Sequence, residues 1–314
     1  MHERGEIELL RPSRNEVDPD RPYHFLQEYE QDAAGDVREV NTIFLTGKEC
    51  AFRCIMCDLW KNTLTFPTPP GALVRQVEYA LERLPPAKVI KLYNSSNFFD
   101  PQSVPLTDYG AIASLLKNYD RVIVENHPAL CNAACVTFSG LLEGRLEVAM
   151  GLESIHPEVL PRLNKRLTKE TFRKAARFLK GHGIDMRAFI LLNPPFLTGI
   201  EDNITWTLAT VGFAFDCGAG CCSVIPTRPG NGIMERLQRE GKYTPPSLET
   251  LEKVHELALS LGRGRVFADT WDTRFMSTCP ECFQTRINRL ERMNLTQETA
   301  PAIHCTNCSA DAGS

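Results

Sequence analysis

Apolar positions follow no period over the first 40 residues, whereas from residue 41 onward short strand-like runs alternate with helical stretches. NTIFLT (41–46), KVIKLY (88–93), RVIVE (121–125), RLEVAMG (145–151), MRAFILL (186–192), CSVIP (222–226) and 265–268 are brief apolar segments of strand length. Between them, apolar residues recur at three- and four-residue spacing. Leu73, Val77, Ala80, Leu81 and Leu84 share one face of a helix over 71–84. Further helices are predicted over 109–118, 169–182, 201–213 and 248–261. Such alternation builds βαβ units on a parallel sheet. A doubly wound sheet and a barrel both accommodate six or seven units. In either, ligands sit at the C-terminal ends of the strands.

The pattern changes after residue 268. The tail carries CPEC (279–282) and HCTNC (304–308) and no long apolar run. This predicts an N-terminal extension over 1–40, a core over 41–268 and a small metal-ordered module over 269–314.

Composition adds one constraint. With 314 residues, 43% hydrophobic and 24% charged, the chain can bury a core without staples, so its 12 cysteines need a chemical reason. The first residues, MHERGEIELLRPSRNEVDPD, lack the apolar centre of a signal peptide, and runs such as Phe189–Leu192 are too short to span a bilayer. The expectation is a cytoplasmic protein that keeps its thiols reduced and does not engage a membrane. A net charge of -4 excludes a global electrostatic attraction for nucleic acid and leaves a local basic patch open.

CAFRCIMC follows the first strand directly and places Cys50, Cys54 and Cys57 where an α/β enzyme keeps its chemistry. Three thiols leave one over as disulfides. A closed structural zinc site wants a fourth ligand. Three cysteines on one loop instead leave one iron of a cubane cluster with an open position. CxxxCxxC in this place, with Phe52 and Met56 inside it, resembles the signature of the radical S-adenosylmethionine (radical SAM) superfamily. The resemblance implies a partial (βα)6-type TIM barrel and a [4Fe-4S] cluster on Cys50, Cys54 and Cys57. It also implies S-adenosylmethionine chelated through its amino and carboxylate groups, and a reducing donor of the flavodoxin or ferredoxin kind. The implied chemistry is reductive cleavage to a 5′-deoxyadenosyl radical that abstracts hydrogen from substrate.

The other strand ends supply candidates. In LYNSSNFFDP (92–101), Asn94, Ser95, Ser96 and Asn97 offer acceptors for the cofactor ammonium. In ENHP (125–128), Glu125 beside His127 is a candidate for ribose hydroxyls or substrate. In GLESIHPEVLPRLNKR (151–166), Glu153 is the leading non-cysteine candidate, for catalysis or cofactor binding. Arg187, inside the fifth predicted strand and before NPPF (193–196), needs an anionic partner if buried. The cofactor carboxylate, Glu153 and Glu125 are the candidates, which makes Arg187 a further catalytic or cofactor-binding position. The glycines of PTRPGNG (226–232) permit a close approach of backbone to adenine or ribose. Together these segments resemble the elongator-catalytic-subunit branch, and within it archaeosine synthase. That resemblance implies modification of a nucleoside in tRNA, with tRNA or a modifying partner as the macromolecular contact.

Cys279, Cys282, Cys305 and Cys308 form two CxxC knuckles, a strong four-ligand pattern for zinc that an auxiliary iron–sulfur cluster could also use. An auxiliary cluster would suit a radical enzyme acting on a peptide or small molecule. A third reading, a non-catalytic zinc-stabilised binding module, predicts zinc alone. Cys131 and Cys135 have no clear partner, and Cys217, Cys221 and Cys222 lie near the sixth predicted strand.

Overall fold

A computed structural model of the chain describes residues 4–277 and 279–310. Its strands are β1 (His24–Gln31), β2 (Val37–Phe44), β3 (Val89–Tyr93), β4 (Arg121–Asn126), β5 (Arg145–Glu153), β6 (Asp185–Leu192), β7 (Cys221–Pro226) and β8 (Arg265–Ala268). Its helices are α1 (Arg4–Leu9), α2 (Ala72–Leu81), α3 (Tyr109–Leu115), α4 (Ala133–Leu141), α5 (Val159–Arg162), α6 (Lys169–Gly181), α7 (Ile200–Asp216), α8 (Ile233–Arg239), α9 (Leu248–Leu259), α10 (Phe283–Thr296) and α11 (Thr306–Ala310). Thr168 and Ser247 cap α6 and α9 by accepting the amides of Thr171 and Thr250, as N-caps should.

The eight strands form one sheet whose spatial order is the chain order. β2 through β8 run parallel, and β1 pairs antiparallel with β2, His24 opposite Phe44. A monotonic order has no reversal point. Right-handed crossovers therefore put the helices on one side and the sheet curls, which selects the partial barrel over the doubly wound sheet. β1 and β8 are not paired with each other; α10 packs on both. Gln31 bonds the Thr296 carbonyl at 3.1 Å, and Arg265 bonds the Gln31 carbonyl at 2.8 Å.

Period-two alternation divides each strand. Ile90, Leu92, Val148, Ala188 and Ile190 are buried beneath the helices. Lys91, Tyr93, Glu147, Arg187 and Phe189 occupy the alternate positions, toward the barrel interior. Near the N-terminal ends of the strands these residues make a charged floor. Arg187 donates to Glu147 at 2.8 Å and to Glu30 at 2.9 and 3.0 Å, and Lys91 bonds Glu28 at 2.8 Å and also Glu30. Burial alone would raise the Glu30 carboxyl, but Arg187 and Lys91 hold it well below the usual carboxylate range.

Two expectations are corrected here. Residues 4–40 are not irregular throughout: they supply α1, β1 and the start of β2, and β1 donates Glu28 and Glu30 to the floor. The anionic partners of Arg187 in this chain are Glu30 and Glu147, not Glu125 or Glu153. Among the described residues no helix is long and apolar enough to cross a membrane.

Candidate active site

The loop after β2 carries Cys50, Cys54 and Cys57 at the C-terminal mouth, opposite the floor. Its base is closed by the Glu49 amide on the Leu64 carbonyl (3.1 Å) and the Leu64 amide on the Gly47 carbonyl (2.8 Å). Its inner carbonyls are held from other strand ends. Asn164, beyond β5, donates to the Arg53 carbonyl at 2.7 Å. Asn231, beyond β7, donates to the carbonyls of Ile55 at 2.7 Å and Cys57 at 3.2 Å. Asn97, beyond β3, donates to the Cys50 sulfur at 3.1 Å. Burial pushes the Cys54 thiol up to about 12 and raises Cys50 and Cys57 as well. Three desolvated thiols suit ligands whose charge a cation offsets.

Glu125, at the end of β4, holds the loop after β3. Its carboxylate accepts the Asn94 amide at 2.6 Å and also the amides of Ser95 and Ser96. It thereby shapes the loop in which Ser95 takes the left-handed conformation (φ 53°). Burial pushes Glu125 up to about 7 although those amides favour its charged form. Asn94 donates to Ser103 at 2.9 Å and leaves its buried Oδ1 without a partner; the buried Ser96 hydroxyl also has none. Orphaned buried acceptors carry a desolvation cost that a ligand ammonium would relieve.

His127 is pinned on three sides. Its amide donates to Asn97 at 2.7 Å, Nε2 bonds the Lys165 carbonyl at 3.0 Å, and Nδ1 accepts the Ala129 amide at 3.1 Å. The ring stacks on Phe52 of the cysteine loop at 3.7 Å. Burial pushes its pKa down to about 3, so it is a neutral prop for that loop.

Glu153 lies on a bulge of β5 with φ 65° and accepts from Lys165 at 2.6 Å. Gly151 makes room for this pair: a Cβ there would sit 2.3 Å from the carboxylate and 2.5 Å from the ammonium. Burial would strip the Lys165 proton, but Glu153, Cys54 and Cys50 raise its pKa. Glu153, Ser95 and Asn164 are all strained left-handed residues at this mouth, the kind of conformation that clusters at functional sites.

The predicted Cys50, Cys54, Cys57, Asn94, Ser95, Ser96, Glu125 and Glu153 thus converge at the mouth, while Arg187 does not. Sequence reasoning missed Lys165, Asn164, Asn231 and the sulfur contact of Asn97. The LNKR stretch was the available signal for the first two. Of the glycines of PTRPGNG, Gly232 approaches this chain's own backbone: a Cβ there would meet the Leu10 carbonyl at 1.8 Å.

Aromatic rings connect the interior to the rim. Phe189 contacts Tyr93 (6.0 Å between centroids), Tyr93 contacts Phe44 (6.2 Å), and Phe44 contacts Trp271 (5.5 Å). Trp271, beyond β8, is 46% exposed and packs on His24 at 5.6 Å. Arg228 and Asp269 brace its main chain through bonds of 2.6 and 3.0 Å.

In the C-terminal segment, the sulfurs of Cys279, Cys282, Cys305 and Cys308 lie within 4.8 Å of one another. Cys279 and Cys305 are 3.8 Å apart, and Cys282 and Cys308 3.5 Å. Arg286 of α10 donates to the Cys282 sulfur at 3.4 Å while paired with Glu252 of α9, which ties the knuckle to the barrel.

No protein-family model matches the chain. The structure superposes on the archaeal Elp3 of Methanocaldococcus infernus with its N-terminus deleted, over 73% of this chain and 62% of that one, with a TM-score of 0.54 and 15% identity. This chain has the radical SAM fold. A spore photoproduct lyase complexed with a dinucleoside spore photoproduct shares that fold over 77% of this chain and 79% of its own, with a TM-score of 0.51 and 12% identity. By sequence, this radical SAM-fold chain is 24% identical over 280 residues to an uncharacterized protein of Methanocaldococcus jannaschii, covering 82% of this chain and 76% of that protein. It is 26% identical over 214 residues to archaeosine synthase subunit beta of Methanosarcina acetivorans, covering 64% and 60%. The same subunit of Thermococcus kodakarensis matches at 26% over 213 residues, 64% of each chain. The matched stretch spans less than two thirds of either archaeosine synthase subunit. The resemblance to the elongator and archaeosine branch rests on these matches.

Proposed function

We propose that the protein is a radical SAM enzyme that modifies a nucleoside in tRNA, in the manner of archaeosine synthase. The observation that carries the reading is the set of three desolvated thiols on the loop after the first parallel strand, beside buried acceptors that lack partners. Cys50, Cys54 and Cys57 would hold a [4Fe-4S] cluster, which when bound supplies the electron that cleaves S-adenosylmethionine to a 5′-deoxyadenosyl radical.

The chain's own residues organise the rest. Asn94 Oδ1 and the Ser96 hydroxyl would accept from the cofactor ammonium. Glu153 and Lys165 form a matched ion pair beside the thiols, with Glu153 available to the cofactor. Asn97 donates a hydrogen bond to a ligand sulfur, which tunes a cluster's potential. Phe44, Tyr93 and Phe189 line the interior with rings and exclude water from a reactive intermediate. Arg187 takes no part in the chemistry and closes the floor.

The curated relatives named as archaeosine synthase subunits support a nucleoside substrate, as does the exposed, braced Trp271 beside His24, a surface on which a base can stack. We read the protein as cytoplasmic and as served by a flavodoxin- or ferredoxin-like donor. We read residues 269–314 as a metal-ordered module on the barrel. Tetrahedral zinc with Zn–S bonds of about 2.3 Å separates its sulfurs by about 3.8 Å. The four C-terminal sulfurs, all within 4.8 Å of one another, suit one zinc ion, and zinc is our reading.

The test is to incubate the anaerobically reconstituted protein, reductant and S-adenosylmethionine with tRNA carrying a lysine-bearing deazaguanine nucleoside, the substrate that the resemblance to archaeosine synthase implies. The tRNA is then digested and its nucleosides analysed by mass spectrometry. Conversion by the wild type and not by Cys50→Ala supports the proposal. Unchanged tRNA with continued formation of 5′-deoxyadenosine contradicts the substrate assignment.

A further inference from the structure

We infer that the N-terminal segment 7–15 is a strap that holds the cysteine loop in its ligand-ready shape, with Glu49 as the positioning residue through which it acts. The inference rests on reading Cys50, Cys54 and Cys57 as ligands.

Glu49 stands at the base of the 49–64 loop, one position before Cys50. Its carboxylate is 8% exposed and receives three arginines. Arg11 donates to Oε1 at 2.8 Å, Arg53 lies 3.1 Å from the same oxygen, and Arg14 bonds Oε2. Arg53 in turn bonds the Cys50 carbonyl and pairs with Glu8 at 3.1 Å. The strap also grips the far side of the loop. Arg11 and Arg14 lie over the buried Trp60 ring, 4.5 and 5.5 Å from its centroid. Arg14 donates to the Trp60 carbonyl at 2.6 Å and the Thr63 hydroxyl at 2.8 Å, and the Asn15 amide bonds the Lys61 carbonyl at 3.0 Å.

The segment is anchored at its other end as well. Ile7 is buried in the core, and the Leu10 carbonyl fills the space that a side chain at Gly232 would need. Gly232 follows Asn231, which holds the carbonyls of Ile55 and Cys57. The strap therefore bridges the loops after β2 and β7, both of which fix the positions of the thiols. Metal ligands need such outer support to stay oriented, and three guanidinium groups on one buried carboxylate cannot relax independently when one is lost.

Two readouts test the strap. In metal-free protein, hydrogen exchange of amides 50–58 is compared between wild type, Arg11→Ala/Arg14→Ala and Glu49→Gln, with β5 and β6 amides as internal reference. In iron-loaded protein, the rate of iron loss to a chelator is followed by absorbance. The expected result is roughly tenfold faster exchange confined to 50–58, and faster iron loss by a similar factor, with partial rescue in Arg11→Lys/Arg14→Lys. Exchange of 50–58 at the wild-type rate in the Arg11→Ala/Arg14→Ala protein overturns the strap. If that variant does not fold, Glu49→Gln decides by the same criterion. Failure of the wild type to take up iron would instead contradict the cluster reading, and the metal-free exchange would still decide the strap.

Discussion

At the floor of the barrel, Arg187 bonds Glu30 and Glu147 and Lys91 bonds Glu28 at 2.8–3.0 Å, Lys91 also bonds Glu30, and the charges have partners in this chain. At the mouth, the same sheet presents three desolvated thiols, two buried acceptors without partners and residues forced into left-handed backbone. Both ends contain a buried cation beside a buried carboxylate, so burial and charge do not distinguish them. The distinction lies in what is left unsatisfied. A structural ion cluster closes on itself, whereas a binding site keeps groups open and depends on surrounding structure to tolerate the strain.

The largest effect expected from this contrast concerns the thiols. Replacing any of Cys50, Cys54 or Cys57 with Ala should abolish iron binding and cofactor cleavage while the circular dichroism spectrum stays native. Arg187→Met should do the reverse, because it removes the guanidinium that bridges Glu30 and Glu147 and leaves them only Lys91 and Arg121. Urea unfolding should show a loss of about 1–3 kcal/mol. Protein that still folds should load iron as the wild type does. An unchanged stability with loss of cofactor binding would place Arg187 at the mouth after all.

Much of this was legible in the sequence because the signals were local. The bounds of β3 to β8 follow from apolar runs to within two residues, whereas β2 starts four residues before its predicted run, and the cysteine loop follows from cysteine spacing alone. What escaped is non-local. β1 alternates weakly because neither of its faces is fully buried, and it becomes a strand only by pairing with β2. The role of Arg187 depended on two partners, one 40 and one 157 positions away. Lys165 and Asn231 reach the site through loops whose direction no periodicity encodes. α10 follows the CPEC knuckle in a stretch read as lacking apolar continuity, and its buried Ile287, Leu290 and Met293 make a narrow stripe.

A smaller effect separates the C-terminal module from both ends. Cys279→Ser should remove one zinc per chain by elemental analysis and leave iron uptake unchanged; loss of iron instead would favour an auxiliary cluster there. Smaller still is a pH effect from His255, whose Nε2 bonds the Val266 carbonyl at 2.9 Å and whose pKa burial pushes down to about 4, with Arg289 acting in the same direction. The unfolded chain takes up this proton below about pH 6.5 and the folded chain does not. Stability should therefore be full above that pH and fall as pH drops toward 4, by at most about 1.4 kcal/mol per pH unit. His255→Gln should flatten that slope in urea titrations, and an unaltered slope would assign the acid sensitivity elsewhere.

The most direct test of the central claim is 5′-deoxyadenosine formation. The protein is purified without oxygen, reconstituted with iron and sulfide, and supplied with dithionite and S-adenosylmethionine, beside the triple Cys50/Cys54/Cys57→Ala variant. Product from the wild type alone is the predicted result. No product from either, with zinc as the only bound metal, would contradict the account and leave a zinc-stabilised binding module in its place.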